Sequence, residues 1–85
     1  MSIELMGFHA VLKPVYHAEK GPGRVELACT ASASLTDKAG PVSSEPLTKS
    51  VADLKAACAV EGRGEVEAKL ELVHDAFHAV MEKKK

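Results

Sequence analysis

Two histidines four residues apart, His74 and His78, form the pattern in this sequence that comes closest to a known chemical signature. Residues at i and i+4 lie on one face of a helix, where two imidazoles can bind the same metal ion. A zinc protease has Glu where this chain has Asp75, and it also needs a third ligand and a substrate cleft. The pair therefore predicts either a site for a divalent metal such as zinc or a solvated helix edge that holds no cofactor.

Two glutamates extend this pair into one polar flank beside an apolar helical stripe. On a helix with ~100° per residue the four side chains fall on the same side. We call this set the polar flank, and it consists of Glu67, Glu71, His74 and His78. A metal ion shared across a dimer would suit it. The two remaining histidines, His9 and His17, lie on opposite faces of a predicted strand, so they are not expected to join the site.

The sequence contains no other signature of catalysis or phosphate binding. No Gly-x-Ser-x-Gly elbow occurs, and the glycine-rich segments 21–23 and 62–64 match neither a phosphate loop nor a dinucleotide fingerprint. Arg63, between two glycines, would be able to hold an anion with its charge and backbone donors. A tight turn with an exposed arginine is the simpler interpretation. These observations favour a binding protein over an enzyme.

The cysteine inventory consists of Cys29 and Cys58. Neither belongs to a Cys-x-x-Cys pair, which argues against a cysteine-based zinc site. Cys29 falls on the apolar side of an alternating segment, and Cys58 falls on an apolar helical stripe. We therefore predict that both are small, reduced core residues, with a disulfide or a reactive thiol as the less favoured alternatives.

Charge and hydropathy exclude several kinds of partner. The chain carries 11 basic and 12 acidic residues, a formal net charge of −1. Nucleic-acid-binding proteins usually show a basic stripe, and the absence of one argues against a nucleic-acid partner. The first seven residues lack the basic and apolar regions of a secretory signal, and no apolar run approaches the ~20 residues that cross a bilayer. The prediction is a cytoplasmic protein without membrane contact.

The N-terminal half predicts an antiparallel β-hairpin. Residues 24–35 alternate between an apolar set and a mostly polar set, which is the period of a strand with one buried face. Residues 8–17 form an extended segment in which Pro14 favours a sheet edge. A Gly-Pro-Gly turn separates the two segments. Residues 42–47 allow at most a short third strand, because Pro46 limits its pairing.

The C-terminal half predicts two helices. The first covers residues 50–61, with Ser50 as its N-cap and Gly62 able to take the left-handed conformation that ends a helix. The second covers residues 65–83. Its apolar residues recur at steps of four and three on one face, namely Val66, Leu70, Val73, Phe77 and Val80. Residues 65–73 also alternate as a strand would, but strong helix formers favour the helix.

These elements predict a single small α+β domain, residues 1–85, in which the hairpin packs against the two helices. Alanine contributes 13 of the hydrophobic residues and tryptophan is absent, so the core is thin. Small scaffolds with thin cores commonly need self-association or a partner for stability. We therefore expect a homodimer or a complex with a larger protein.

The predicted function is a small non-enzymatic protein-interaction module with an accessory, regulatory or inhibitory role. The candidate partner-binding residues are Leu72, which lies off the apolar stripe, Arg63 in the turn and Tyr16 on the edge strand. The alternative is a metal-binding protein or a metal-dependent enzyme that uses His74 and His78.

Overall fold

The computed structural model describes residues 3–83 and shows four α-helices. Met1, Ser2, Lys84 and Lys85 lie outside the described residues. The helices are α1 (Ile3–Tyr16), α2 (Pro22–Val42), α3 (Glu45–Ala59) and α4 (Val66–Lys83). Each helix packs chiefly on the next one in the chain, as short connections require. A thinner contact between α4 and α1 closes the bundle.

The predicted α+β class with an N-terminal β-hairpin is wrong. Residues 8–17 overlap α1 and residues 24–35 lie within α2, and no strand occurs among residues 3–83. The buried residues of α1 recur at helical steps of three and four, namely Leu5, Phe8, Leu12 and Val15. Pro14 lies in the last turn of α1, where its missing N–H removes one hydrogen bond and the helix ends two residues later.

The helical period of α2 is not apparent in the sequence because its buried stripe contains small and polar side chains. The stripe consists of Arg24, Ala28, Ser32, Leu35, Ala39 and Val42. Much of the apparent strand alternation comes from alanine, which is the strongest helix former. Leu27, assigned to the core face of the strand, is 48% exposed. The optional third strand at 42–47 is also wrong, because α2 ends at Val42 and α3 begins three residues later.

Both predicted C-terminal helices are present, but the N-cap residue of α3 is Ser44, so the prediction of Ser50 as the N-cap is wrong: Ser50 is buried within the helix. Helix α4 follows the predicted stripe, so the alternative of a strand at 65–73 is wrong. Helix α3 begins five residues before Ser50, with Pro46 in its first turn, where a missing N–H breaks no helical hydrogen bond. Gly62 takes the predicted left-handed conformation, with a φ of 84°, but it does not end the helix, because α3 ends at Ala59 and its C-cap residue is Val60.

The core consists of residues from all four helices. Phe8 of α1 and Phe77 of α4 are almost fully buried, and their ring centroids lie 5.4 Å apart. Burying a side chain of this size stabilises the fold by roughly 1.5–3 kcal/mol. This stacked pair is therefore the principal apolar contact between the first and last helices. None of the helices within residues 3–83 is long and apolar enough to cross a membrane.

A disulfide joins Cys29 of α2 to Cys58 of α3, so the prediction of two reduced core cysteines is wrong. The two Cα atoms lie 5.5 Å apart, and 29 positions separate the residues in the chain. Closing a loop of this length is expected to stabilise the fold by about 3.5 kcal/mol, mainly through the unfolded chain. The bond fastens the two central helices of the bundle to each other.

Candidate functional site: a histidine cavity between the first and last helices

All four histidines of the chain line one cavity of about 90 Å³ where α1 meets α4. We call it the histidine cavity. Its lining residues are His9, Leu12, Lys13, Tyr16 and His17 from α1 and its C-terminal end, and His74, Phe77, His78 and Met81 from α4. The prediction that the two N-terminal histidines would not join the site is wrong, because it assumed a strand. On a helix the same residues share one side.

The cavity forms because both helices carry a second stripe directly beside the buried one. On α4, His74, His78 and Met81 each follow a core residue by one position, namely Val73, Phe77 and Val80. On α1, His9, Lys13 and Tyr16 follow core residues in the same way, namely Phe8, Leu12 and Val15. Packing the two apolar stripes together therefore brings the two polar stripes face to face at the edge of the core.

His74 and His78 are in direct contact through their ring nitrogens. The two Nε2 atoms lie 3.1 Å apart, a hydrogen-bond distance between imidazoles. One nitrogen must donate its proton and the other must accept, so the accepting ring is neutral. The Nδ1 atom of His74 lies 3.9 Å from a carboxylate oxygen of Asp75. The pair thus places two ring nitrogens within hydrogen-bond distance of each other.

Tyr16 holds His74 in position by stacking. The two ring centroids lie 3.7 Å apart with an interplanar angle of 4°. Burial in this stack, together with the neighbouring His78, lowers the pKa of His74. Both effects favour the neutral form of the imidazole, which is the form that binds a metal ion.

Tyr16 is itself held in place by two charged residues, Glu71 of α4 and Arg24 of α2. Its hydroxyl donates a hydrogen bond of 2.9 Å to Oε2 of Glu71. This hydrogen bond, with burial as the second cause, raises the pKa of Tyr16. The guanidinium carbon of Arg24 lies 4.8 Å from the centre of the tyrosine ring, within range of a cation–π contact. The orientation of the aromatic ring is thus set from two sides.

Arg24 is buried and pairs with both glutamates of the polar flank. Its Nε lies 3.4 Å from Glu67 and its Nη2 lies 3.5 Å from Glu71, with only 4% of the arginine side chain exposed. These distances are those of ion pairs rather than of well-formed hydrogen bonds. The residues of the polar flank therefore have two roles. Its glutamates form ion pairs with Arg24, and its histidines line the cavity.

The spacing of the two histidine nitrogens suits a metal ion. Two imidazoles bound to zinc at 2.0–2.1 Å in tetrahedral geometry have nitrogens about 3.3 Å apart. The observed 3.1 Å differs from this spacing by a few tenths of an ångström. Within residues 3–83, no three His, Cys, Asp or Glu side chains are grouped closely enough to hold a metal ion. The pair is thus a two-nitrogen site that requires a further ligand of another kind or from elsewhere.

The three residues predicted to bind a partner lie in different places. Tyr16 lines the histidine cavity. Arg63 lies beside an open cavity near Pro22 and the disulfide, and its Nε donates a hydrogen bond of 3.2 Å to the carbonyl oxygen of Cys58. Leu72 is 48% exposed on α4. The structure does not bring the three side chains into one cavity.

Sequence reasoning missed Arg24, His9, His17 and Met81 as components of the site. Arg24 was assigned to the solvent face of a strand, whereas its helix buries it. The recurrence of His9, Lys13 and Tyr16 at helical spacing would have revealed the stripe on α1. That signal carries meaning only once residues 3–16 are recognised as a helix.

In comparisons with known proteins, the chain matched no protein-family model, no curated protein and no solved structure.

Proposed function

We propose that this chain is a small metal-binding protein whose ligands include His74 and His78. The observation that carries the proposal is the 3.1 Å separation of their Nε2 atoms on one helix face. A metal ion would replace the hydrogen bond between the rings and use both nitrogens. The stack on Tyr16 supports the proposal because it holds one ligand in place before binding, which reduces the entropy lost on complex formation.

The size of the cavity favours binding over catalysis. Sites for small organic molecules usually occupy about 300–1,000 Å³, whereas the histidine cavity has about 90 Å³. It has room for an ion and one or two small ligands, but not for an organic substrate beside them. We therefore propose a metal carrier or a metal-stabilised module rather than a metal-dependent enzyme.

The decisive experiment is a calorimetric titration of the tag-free protein with Zn²⁺ and, separately, with Co²⁺ near pH 7.5. A histidine tag must be absent because it would bind the same ions. We expect one ion per chain, and we expect the His74→Gln/His78→Gln double variant to lose this binding, since glutamine keeps the polarity but offers no imidazole nitrogen. Binding should release protons and weaken in acid, because an imidazole must be deprotonated to bind a metal ion.

The matched control is Glu82→Gln, which changes an exposed side chain on the same helix that does not line the cavity. It should leave the stoichiometry unchanged. Circular dichroism of all variants would show whether the helices remain folded. Unchanged ion binding in a folded double variant would contradict the proposal, as would the absence of ion binding by the wild-type protein.

The disulfide also bears on the cellular compartment in which the protein works. Disulfides persist in oxidising compartments and are rare in the cytoplasm. The bond between Cys29 and Cys58 therefore favours an oxidising compartment over the cytoplasmic location predicted from the sequence. Thiol labelling of the protein extracted under acid quench from its source cells would distinguish the two, since only reduced cysteines react.

A second candidate is the protein-interaction module, acting as a homodimer. The observation that favours it is Leu72, a leucine that leaves 48% of its surface exposed on α4. Leu72→Glu should shift a dimer towards monomer in analytical ultracentrifugation without unfolding the chain, because the side chain is not part of the core. Glu82→Gln, on the exposed surface of the same helix, is the control. An unchanged sedimentation coefficient would remove Leu72 from the interface.

A further inference from the structure

Met81 lines the histidine cavity and carries a thioether sulfur, a ligand that ordinary zinc sites do not use. It follows His74 and His78 at positions i+7 and i+3, so the three lie along one face of α4. All three line the same cavity. Thioether sulfur is a soft ligand that selects monovalent copper, whereas imidazole binds copper and zinc alike. The face of α4 thus combines two nitrogen donors with one soft sulfur donor.

The charge of the cavity also favours a monovalent ion. No carboxylate is among its lining residues, and Lys13 contributes a positive charge. The glutamates that lie nearest along α4, Glu67 and Glu71, are paired with Arg24. The anion closest to the ligands is Asp75, 3.9 Å from Nδ1 of His74, but its side chain is 74% exposed and screened by solvent, so a divalent ion would meet neutral ligands and a lysine with little compensating charge. Because Coulomb repulsion scales with the charge of the ion, Cu⁺ is penalised less than Zn²⁺.

The walls of the cavity restrict the number of ligands. Phe77, Tyr16 and Leu12 supply apolar surface, and His9 stacks on Phe77 with ring centroids 5.5 Å apart. Monovalent copper tolerates low coordination numbers and soft, apolar surroundings, whereas zinc sites in proteins are almost always four-coordinate. The absence of a third His, Cys, Asp or Glu ligand within residues 3–83 suits copper for the same reason.

We infer that the histidine cavity is a monovalent-copper site with Nε2 of His74, Nε2 of His78 and the thioether sulfur of Met81 as its ligands. This inference rests on the proposed metal-binding function and names the ion. The disulfide is consistent with it. Both cysteines of the chain are oxidised in that bond, so His and Met are the ligands that remain for a soft ion.

The test is an anaerobic titration of the tag-free, oxidised protein with Cu⁺ stabilised in acetonitrile, in competition with bicinchoninate. No thiol reductant is used, because it would open the disulfide and supply competing thiolates. Wild-type protein is expected to withdraw one Cu⁺ per chain from the chelator. X-ray absorption of the complex should show copper–sulfur scattering together with copper–nitrogen scattering.

Met81→Leu is the diagnostic variant, since the two side chains have similar volumes and the core tolerates the exchange. It is expected to weaken Cu⁺ binding about tenfold or more and to remove the copper–sulfur scattering. Zn²⁺ or Co²⁺ affinity should change far less, because those ions do not rely on the thioether. Met6→Leu is the matched control: Met6 is 57% exposed near the start of α1 and does not line the cavity.

Failure of this inference can be distinguished from failure of the proposed function. If Zn²⁺ or Co²⁺ binds through His74 and His78 but Cu⁺ affinity is the same in wild type and Met81→Leu, the copper assignment is overturned and the metal site stands. If none of the three ions binds, both are overturned. If Met6→Leu weakens Cu⁺ binding as much as Met81→Leu does, the assignment of the sulfur ligand is wrong.

Discussion

The contact between α2 and α3 and the contact between α1 and α4 are held together in different ways. The first is fastened by the disulfide between Cys29 and Cys58 and by close helix packing. The second contains the stack of Phe8 on Phe77, the stack of Tyr16 on His74 and the hydrogen bond from Tyr16 to Glu71, and Arg24 of α2 forms ion pairs with α4 beside it. A covalent bond is insensitive to protons and metal ions, whereas histidines and glutamates respond to both. The bundle thus joins a fixed pair of helices to a closing contact that its surroundings can strengthen or weaken.

Removing the disulfide would test the fixed half of this comparison and should have the largest effect. The Cys29→Ser/Cys58→Ser variant is expected to lose about 3.5 kcal/mol of unfolding free energy, because its unfolded chain is no longer cross-linked. Urea unfolding followed by circular dichroism measures the loss. Wild-type protein should lose a similar amount when a reductant is added, and the double variant should be unaffected by it. A wild-type protein insensitive to reductant would contradict the disulfide.

Arg24 offers the strongest test of the closing contact. Arg24→Ala should lower the unfolding free energy by about 2 kcal/mol, since it leaves two glutamates unpaired and removes a buried aliphatic stem. The loss is smaller than for a fully buried pair because the glutamate side chains are 33% and 40% exposed and can regain water. Arg63→Ala, at an exposed turn, is the control and should change stability by less than about 0.5 kcal/mol. Equal losses of unfolding free energy in both variants would mean that the ion pairs of Arg24 do not stabilise this contact.

Tyr16→Phe sharpens the comparison by removing a single hydroxyl from the contact between α1 and α4. The stack on His74 remains, while the hydrogen bond to Glu71 is lost. We expect a decrease of about 1 kcal/mol in unfolding free energy, the usual contribution of a partly exposed hydrogen bond. Amide hydrogen exchange should accelerate where α1 contacts α4 but not around the disulfide. Uniform acceleration through all four helices would show that the two contacts are not independent.

The smallest expected effect is a dependence of stability on pH that arises from His74. Its pKa in the folded state lies below the usual value near 6.5. The unfolded chain therefore binds the proton more tightly, so this contribution to stability is complete above about pH 6.5 and is lost as the pH falls towards the lowered pKa. Replacing His74 by Gln should flatten the stability curve in that window. An unchanged slope would show that the dependence does not arise from His74.

The accuracy of sequence reasoning differed between helices for a physical reason. In α4 every core position is a large apolar residue, from Val66 to Val80, so the helical period dominates the pattern. In α2 the buried positions include Arg24, Ala28 and Ser32, which carry almost no hydrophobic signal. Hydrophobic periodicity detects what a helix buries only where the buried residues are apolar.

The candidate site was predictable in part for the same reason. His74 and His78 lie on the one helix whose period was clear, so their proximity followed from spacing alone. The participation of His9, His17 and Arg24 depends on α1 and α2 being helices that pack against α4. Such long-range contacts cannot be derived from a local pattern that was itself assigned to strands. The pairing of Cys29 with Cys58 depended on tertiary packing in the same way.

The position of Tyr16 has a practical consequence. It is the only tyrosine in a chain without tryptophan, so all of the tyrosine fluorescence comes from one ring and the two phenylalanines emit only weakly. That ring stacks on His74, touches Arg24 and lines the histidine cavity. Tyrosine emission from the unlabelled protein therefore reports on this one place. It should change when α1 separates from α4, when His74 is protonated and when a quenching ion binds in the cavity. The molecule contains its own optical probe at the point where it is proposed to act.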